Sequence, residues 1–392
     1  MADDILIIDG ARTPMGSLGG ALSSVPAPEL AAIAARRTLE KAAVSADAVD
    51  EVFMGCVLPA GLKQCPARQT AIAADVPVSA GAVTVNKACG SGMQATIFGF
   101  DSIRAGTNRV VLCGGMESMS NAPHLLPGAR SGFKLGSTIA YDHMMMDGLE
   151  DAYEGHPMGA YAQATADAEG ITREDMDNFA IESLRRAQAA IENGSLEAEI
   201  APVTVSTRRG DTLVTDDEQP PKANLERIPH LRPAFAKNGT ITAANASSIS
   251  DGGSALLLMS AREAADRGVA GKAKIVAHAR HSQAPGEFTI APIGAIEKVL
   301  ADAGWATDDV DLFEINEAFA MVTMLAMRAH DIPHEKVNIY GGACAVGHPI
   351  GSTGSRIIVT LMHALANTGG QRGIAALCIG GGEATAVAIE LC

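Results

Sequence analysis

Val110-Val111-Leu112-Cys113-Gly114-Gly115-Met116-Glu117 is echoed near the other end of the chain by Ala375-Ala376-Leu377-Cys378-Ile379-Gly380-Gly381-Gly382-Glu383. Each reads as an apolar strand that ends in a cysteine and a glycine cluster, with an acidic residue behind it. Upstream of each lies a second small-residue turn, Ala88-Cys89-Gly90-Ser91-Gly92 in one case and Gly347-His348-Pro349-Ile350-Gly351 in the other. A pattern stated twice predicts two halves built alike. Two such halves, packed together, would bring a reactive residue from each to a shared interface.

Working outward, residues 5–8, 51–55, 84–86 and 110–112 read as strands, and residues 29–43 and 94–105 as helices. Strands alternating with helices imply a layered α/β core. Residues 121–244 break the rhythm: Pro123, Pro127, Gly128 and Pro157 mark turns, a long helix is expected over 173–193, and 211–218 is acidic and polar. This is the pattern of an insertion. The α/β alternation then resumes to the end.

Composition narrows the function classes. A chain of 392 residues, 47% hydrophobic and 19% charged, has ample material for a core and is not a disordered polymer. Its 30 Lys+Arg against 45 Asp+Glu leave a formal net charge of -15. Such a surface repels phosphate backbones, so no nucleic-acid partner is expected. Seven cysteines without a CxxC pair do not make a disulfide framework and point to a reducing compartment. The start Met1-Ala2-Asp3-Asp4 lacks the basic region of a signal peptide, and the charge-poor run over 337–355 contains His348, Pro349 and many glycines. The expectation is a cytoplasmic protein with no membrane partner.

Four positions invite chemistry. Cys89 falls between an expected strand and an expected helix, where backbone N–H groups and the helix dipole would lower its pKa and favour the nucleophilic thiolate; a buried inert cysteine is the equal alternative. Gly90-x-Gly92-x-x-Ala95 also scans as a loose dinucleotide fingerprint, but it lies far from the first strand. His348 sits in a rigid Gly/Pro loop, poorly explained by packing and suited to a general base. Cys378, at a strand end before Gly380, is either a thiol at the sheet edge or a structural residue. A zinc site on Cys89, His348 and Cys378 lacks paired metal spacings. Asn316, after the expected strand over 310–315, either donates toward developing negative charge or caps a helix.

Together these stretches resemble the thiolases. The likeness runs along essentially the whole chain, from Ala11-Arg12-Thr13-Pro14 through Cys113-Gly114-Gly115-Met116-Glu117-Ser118-Met119-Ser120. Its most specific parts are the Cys89 segment, Asn316-Glu317-Ala318-Phe319, Gly347-His348-Pro349 and Cys378-Ile379-Gly380, four motifs in the right order. The resemblance implies an α/β thiolase fold: two similar α/β halves in a five-layered αβαβα sandwich, with an inserted loop domain over the pocket. On that plan residues 1–120, completed by 245–270, form the N-terminal half, 121–244 the loop domain and 271–392 the C-terminal half.

The resemblance also implies roles. Cys89 would carry the acyl group and His348 would take its proton. Cys378 would exchange a proton with the α-carbon of a second acetyl-CoA. Asn316 would position a water that, with His348, stabilises the enolate oxygen, and the N–H groups of Cys89 and Gly380 would form a second oxyanion hole. For coenzyme A it points to Ser247, Ala318 and Phe319, with Phe235, Lys222 and Arg227 on the loop-domain side, the last two facing phosphates. Relatives of the acetoacetyl type carry His-Met-Gly in the loop domain. Here the run is His156-Pro157-Met158-Gly159, so Met158 and Gly159 match while Pro157 takes the histidine's slot and His156 is displaced by one. Phe288, in a region that shapes the acyl pocket of relatives, argues for short acyl groups.

The implied activity is the reversible Claisen condensation of two acetyl-CoA to acetoacetyl-CoA and CoA through an acyl-cysteine. The alternative is a broader-chain 3-ketoacyl-CoA thiolase of fatty-acid degradation. No metal and no cofactor are expected, coenzyme A being substrate and product, and the implied assembly is a homodimer or a homotetramer. A serine hydrolase is disfavoured because no GxSxG occurs. A non-catalytic acyl-CoA binder is disfavoured because Cys89, His348 and Cys378 are all present.

Overall fold

A computed structural model describes residues 3–208 and 210–392; Met1 and Ala2 of the acidic start lie outside the described residues, as does Arg209. The first half runs β1 (Ile5–Arg12), β2 (Gly16–Ser17), α1 (Ala27–Ala42), β3 (Glu51–Gly55), α2 (Pro66–Ala73), β4 (Gly81–Val85), α3 (Ser91–Arg104) and β5 (Val110–Ser118). The irregular region carries β6 (His124–Leu125), β7 (Tyr141–Asp142), α4 (Met158–Ala168), α5 (Arg173–Glu192), β8 (Val203–Thr207) and β9 (Gly210–Val214). Then β10 (Ser250–Ser260) and α6 (Ala261–Arg267) lead into β11 (Ala273–Ser282), α7 (Ala291–Ala303), β12 (Leu312–Ile315), α8 (Ala320–His330), α9 (Ala343–Val346), α10 (Thr353–Thr368), β13 (Arg372–Ile379) and β14 (Glu383–Leu391).

The strands pair in the order β12-β13-β14-β11-β1-β10-β5-β3-β4. The two ends are parallel pairs, β12 with β13 and β3 with both β4 and β5, while the strands between are antiparallel. The two halves are joined by a short seam, β1 meeting β11 through Leu6↔Lys274 and Ile7↔Ala273.

Three apolar cores hold five layers together, the middle one filling both faces of the central α3–α10 layer. Along β5, Val110, Leu112 and Met116 pack with α1 and α2, whereas Val111 and Cys113 face the other way, as the two-residue period of a strand requires. That second face meets α3 and α10, where Met93, Ile97, Ile357 and Leu361 lie between it and Leu377 and Val387 of the second half. Beyond the second half, α7 supplies Ala295, Ile296 and Val299 against Phe313, Ile374 and Ala386. Both faces of each sheet are covered, which is why the strands read as near-continuous apolar runs.

Element boundaries differ instructively from the sequence reading. The first glycine cluster was expected to end its strand; instead β5 continues to Ser118. Gly114 and Gly115 mark close approach, since a Cβ there would stand 2.1 Å from the Ser254 carbonyl oxygen and 2.0 Å from that of Gly351. The second cluster does turn the chain, with φ of 93° at Gly381 and 85° at Gly382 between β13 and β14. The two echoes are thus alike in sequence and different in use.

The long helix of the irregular region begins at a capping box. Thr172 accepts a bond from the Asp175 N–H at 3.1 Å, and the Asp175 carboxylate accepts from the Thr172 N–H at 3.1 Å. This region is tied to the first strand by Arg12, which is buried and donates to Glu199 at 2.5 Å and to both oxygens of Asp217 at 2.7 and 2.9 Å. No helix among the described residues is long and apolar enough to cross a membrane.

Candidate active site

The middle helices set the site. A Cβ at Gly92 of α3 would lie 2.6 Å from the Ser355 Oγ and 2.9 Å from its backbone nitrogen; one at Gly354 of α10 would lie 2.4 Å from the Met93 nitrogen. The N-termini of α3 and α10 therefore touch backbone to backbone. Just ahead of α3 stands Cys89, and just ahead of α10 stands His348. Both line one cavity of about 610 Å³, together with Cys378, Gly380, Ala318, Phe319 and Ser247. Loop-region residues close it, Met145, Leu149, Pro157, Met158 and Phe235 among them.

Cys89 follows Ala88, which has a φ of 42°, a left-handed value that a side chain adopts at a cost. Desolvation pushes the Cys89 thiol up to about 11, helped by the negative charge of Glu117, while the backbone N–H groups of Gly380 and of Cys89 itself act in the opposite direction. The sequence reading expected the helix N-terminus to lower this pKa. It does not win, because burial of the sulfur outweighs these backbone donors.

His348 is buried, and its backbone N–H donates to Ser248 O at 3.1 Å. Its Nδ1 lies 2.6 Å from Thr353 Oγ1, and Nε2 has no hydrogen-bond partner among the described residues. Burial, with Arg356 nearby, lowers its pKa to about 3. Cys378 is buried at the end of β13; desolvation first, then the negative charge of a Cys89 thiolate, raise its pKa well above the ordinary thiol value. At neutral pH the site thus holds two thiols and a neutral imidazole, so a proton must move before either sulfur reacts.

Asn316 is not a helix cap, since α8 begins at Ala320 with Phe319 at the cap position. Its backbone N–H donates to Ala376 O at 2.9 Å, and both polar atoms of its side chain are buried without a partner among the described residues. It is not part of the cavity wall proper. An unpaired buried amide is costly, and this one stands beside the motif that lines the cavity with Ala318 and Phe319.

Among the described residues no group of three or more His, Cys, Asp or Glu is arranged as an ion site. Of the residues expected to bind coenzyme A, Ser247, Ala318, Phe319, Phe235 and Met158 line the cavity, whereas Lys222, Arg227 and His156 do not. Lys222 is exposed and pairs with Glu218 at 2.6 Å. The His156 ring stands in solvent against the edge of Tyr161, 5.9 Å between centroids, and Pro157 takes the wall position at the N-cap of α4. The Phe235 and Phe319 rings meet edge to face at 6.4 Å, and Gly159 lets Phe235 lie across its backbone, where a Cβ would come within 2.2 Å of the ring. Phe288 is buried and packs in one cluster with Met158, Ala318 and Cys378, narrowing the thiol end of the cavity.

Two supporting residues escaped the sequence reading. Glu117, buried at the end of β5, accepts from the N–H groups of Val57, Leu58 and Gly351 at 2.9, 3.1 and 3.0 Å, joining first-half loops to the His348 loop. Burial pushes its carboxyl up to about 7 against those donors. An acidic residue directly behind an apolar strand was its only signal. Glu317 is likewise buried and accepts from Asn338, Ser183 and the Cys344 N–H at 2.8, 2.7 and 3.1 Å, fixing the Asn316 segment.

Comparison with known proteins agrees across the full length. Residues 5–262 match the family model described as Thiolase, N-terminal domain, and residues 269–391 match Thiolase, C-terminal domain. The chain is 46% identical to an acetyl-CoA acetyltransferase of Schizosaccharomyces pombe over 389 residues, covering 99% of this chain and 98% of that one. It is 44% identical to an acetyl-CoA acetyltransferase of Cupriavidus necator over 389 residues, covering 99% of each. The crystal structure of Acat5 thiolase from Ascaris suum in complex with coenzyme A superposes with a TM-score of 0.94 at 38% identity, covering 99% of this chain and 100% of that one.

Proposed function

The chain belongs to the thiolase family, and from that premise we propose that it is an acetyl-CoA C-acetyltransferase, reversibly condensing two acetyl-CoA into acetoacetyl-CoA and free CoA. The names of its relatives support this reading over a broader-chain thiolase. The single observation that carries the chemistry is the meeting of Cys89, His348, Cys378 and Gly380 from both halves on one mostly apolar cavity.

In the proposed cycle His348 takes the Cys89 proton and the sulfur attacks the acetyl-CoA carbonyl. The carbon–sulfur bond to CoA breaks, and CoA leaves with the proton held by His348. An acetyl-cysteine splits one hard step into two easier ones. Cys378 passes its proton to the now neutral His348 and, as a thiolate, removes an α-proton from the second acetyl-CoA. The carbanion attacks the acetyl carbonyl on Cys89, the new carbon–carbon bond forms and the carbon–sulfur bond to Cys89 breaks. Cys378 is a thiol again, and His348 returns its proton to the Cys89 thiolate, which restores the resting site. Asn316 and the imidazole serve the enolate oxygen; the N–H groups of Cys89 and Gly380 serve the oxygen on the acetyl-cysteine. Coenzyme A enters as substrate, with no separate cofactor, bound along Ser247, Phe235 and Phe319. Lys222 and Arg227, which stand outside the cavity wall, are the proposed phosphate contacts.

We place this activity in the lipid metabolism of the cytoplasm, a setting supported by seven unpaired thiols, and in a homodimer or homotetramer, which sedimentation equilibrium checks. Partial reactions test the roles. Cys89→Ala abolishes formation of the acetyl-enzyme seen by intact-protein mass spectrometry. Cys378→Ala still forms it but does not condense; normal condensation would reject the proton-transfer role. Thiolysis of C4 and C8 ketoacyl-CoA tests the substrate, and a clear C8 preference would overturn the acetoacetyl assignment.

A further inference from the structure

One ring nitrogen of His348 is engaged and the other is not. Nδ1 lies 2.6 Å from Thr353 Oγ1, while the buried Nε2 has no partner among the described residues. The Thr353 hydroxyl has one proton to give. Its oxygen also lies 3.0 Å from the carbonyl oxygen of Pro349, which can only accept. Two oxygens at that separation attract only when the hydroxyl proton lies between them. With that proton spent, Thr353 can serve Nδ1 only as an acceptor, so Nδ1 carries the hydrogen. A neutral imidazole has a single N–H, which leaves the lone pair on Nε2.

We infer that Thr353 is a positioning residue that locks His348 in the Nδ1–H tautomer, so that Nε2 is the nitrogen ready to take the Cys89 proton. The inference rests on the roles proposed above for Cys89 and His348. The opposite tautomer would present an N–H to a thiol and accept nothing. Thr353 is also the first residue of α10, whose N-terminus is seated against α3, and its own N–H donates to Pro349 O at 3.0 Å. The backbone is thus held independently of the hydroxyl, and a change confined to the hydroxyl reads the tautomer lock rather than the loop.

The test uses the full chain labelled with 15N-histidine, as wild type, Thr353→Ser and Thr353→Val. Long-range proton–nitrogen spectra report the His348 tautomer, and single-turnover acetylation by acetyl-CoA reports function. Wild type and Thr353→Ser are expected to hold the Nδ1–H form and to acetylate at matching rates. Thr353→Val is expected to mix tautomers and to lose about 10–100-fold in acetylation rate, by analogy with the outer partners that orient metal-bound histidines, with half-saturation by acetyl-CoA unchanged. An Nε2–H tautomer in the wild type, or a wild-type rate in folded Thr353→Val, overturns the inference. His348→Ala separates the two layers. If it fails to acetylate while Thr353→Val succeeds, only the tautomer lock falls. If His348→Ala acetylates normally, the proton-acceptor role falls and the lock falls with it.

Discussion

Cys89 keeps its proton at neutral pH because the surrounding protein resists a bare thiolate more than two backbone N–H groups favour one. The sign of the consequence is definite. A thiol pushed up to about 11 gains thiolate as pH rises toward that value, and an imidazole lowered to about 3 stays neutral throughout. Alkylation of Cys89 by iodoacetamide in the free enzyme should therefore climb about tenfold per pH unit from pH 7 upward. A rate that has already levelled off by pH 7 would show a resting thiolate–imidazolium pair and reject this account. The residue types at positions 89, 348 and 378 were legible in the sequence because reactive side chains among glycines have little packing reason to be there. The direction of the Cys89 shift was not, since it depends on how deeply the folded chain buries the sulfur.

At the scale of elements, α3 and α10 illustrate what glycine contributes and why it misleads. The sequence reading took glycine clusters as turns, which held after β13 and failed along β5. Propensity cannot tell a residue that bends the chain from one that lets another backbone come close; only the partner segment decides. Gly354→Ala places a methyl 2.4 Å from the Met93 nitrogen. Backbone cannot step aside as a flexible side chain does, so the expected loss is about 1–3 kcal/mol, as for an overpacked core, with reduced acetylation. Urea unfolding with the activity assay checks both; unchanged stability would mean that the helices separate freely. A milder loss of about 1 kcal/mol is expected for Thr172→Ala, which removes the cap of α5, and an unchanged midpoint would reject the cap's contribution.

For the whole molecule, the alternation of strands and helices and the doubled strand–cysteine–glycine pattern were enough to read a two-half α/β architecture. They said nothing of the β1–β11 seam that makes one continuous sheet of two, because register across distant strands has no local signal. Nor did they show how the irregular region is anchored. Arg12, met in the sequence only as part of Ala11-Arg12-Thr13-Pro14, ties β1 to Glu199, just before the β8–β9 hairpin, and to Asp217, just after it. Arg12→Met leaves two buried carboxylates without their cation. The expected cost is about 3–5 kcal/mol, seen as a lower urea midpoint, and a loss below about 1 kcal/mol would contradict the burial of the triad.

The contact between the N-termini of α3 and α10 has a consequence for tolerance, in the engineer's sense of the word. Parts located by long side chains inherit the slack of every rotatable bond between them. The Cys89 and His348 loops are instead gauged against each other through peptide planes, Gly92 on Ser355 and Gly354 on Met93. Few torsions lie in that dimensional chain, so small repacking elsewhere in the sandwich is absorbed before it reaches the gap between sulfur and imidazole. The layers around the site are free to diverge in sequence, while the pair of surfaces that sets the gap is not.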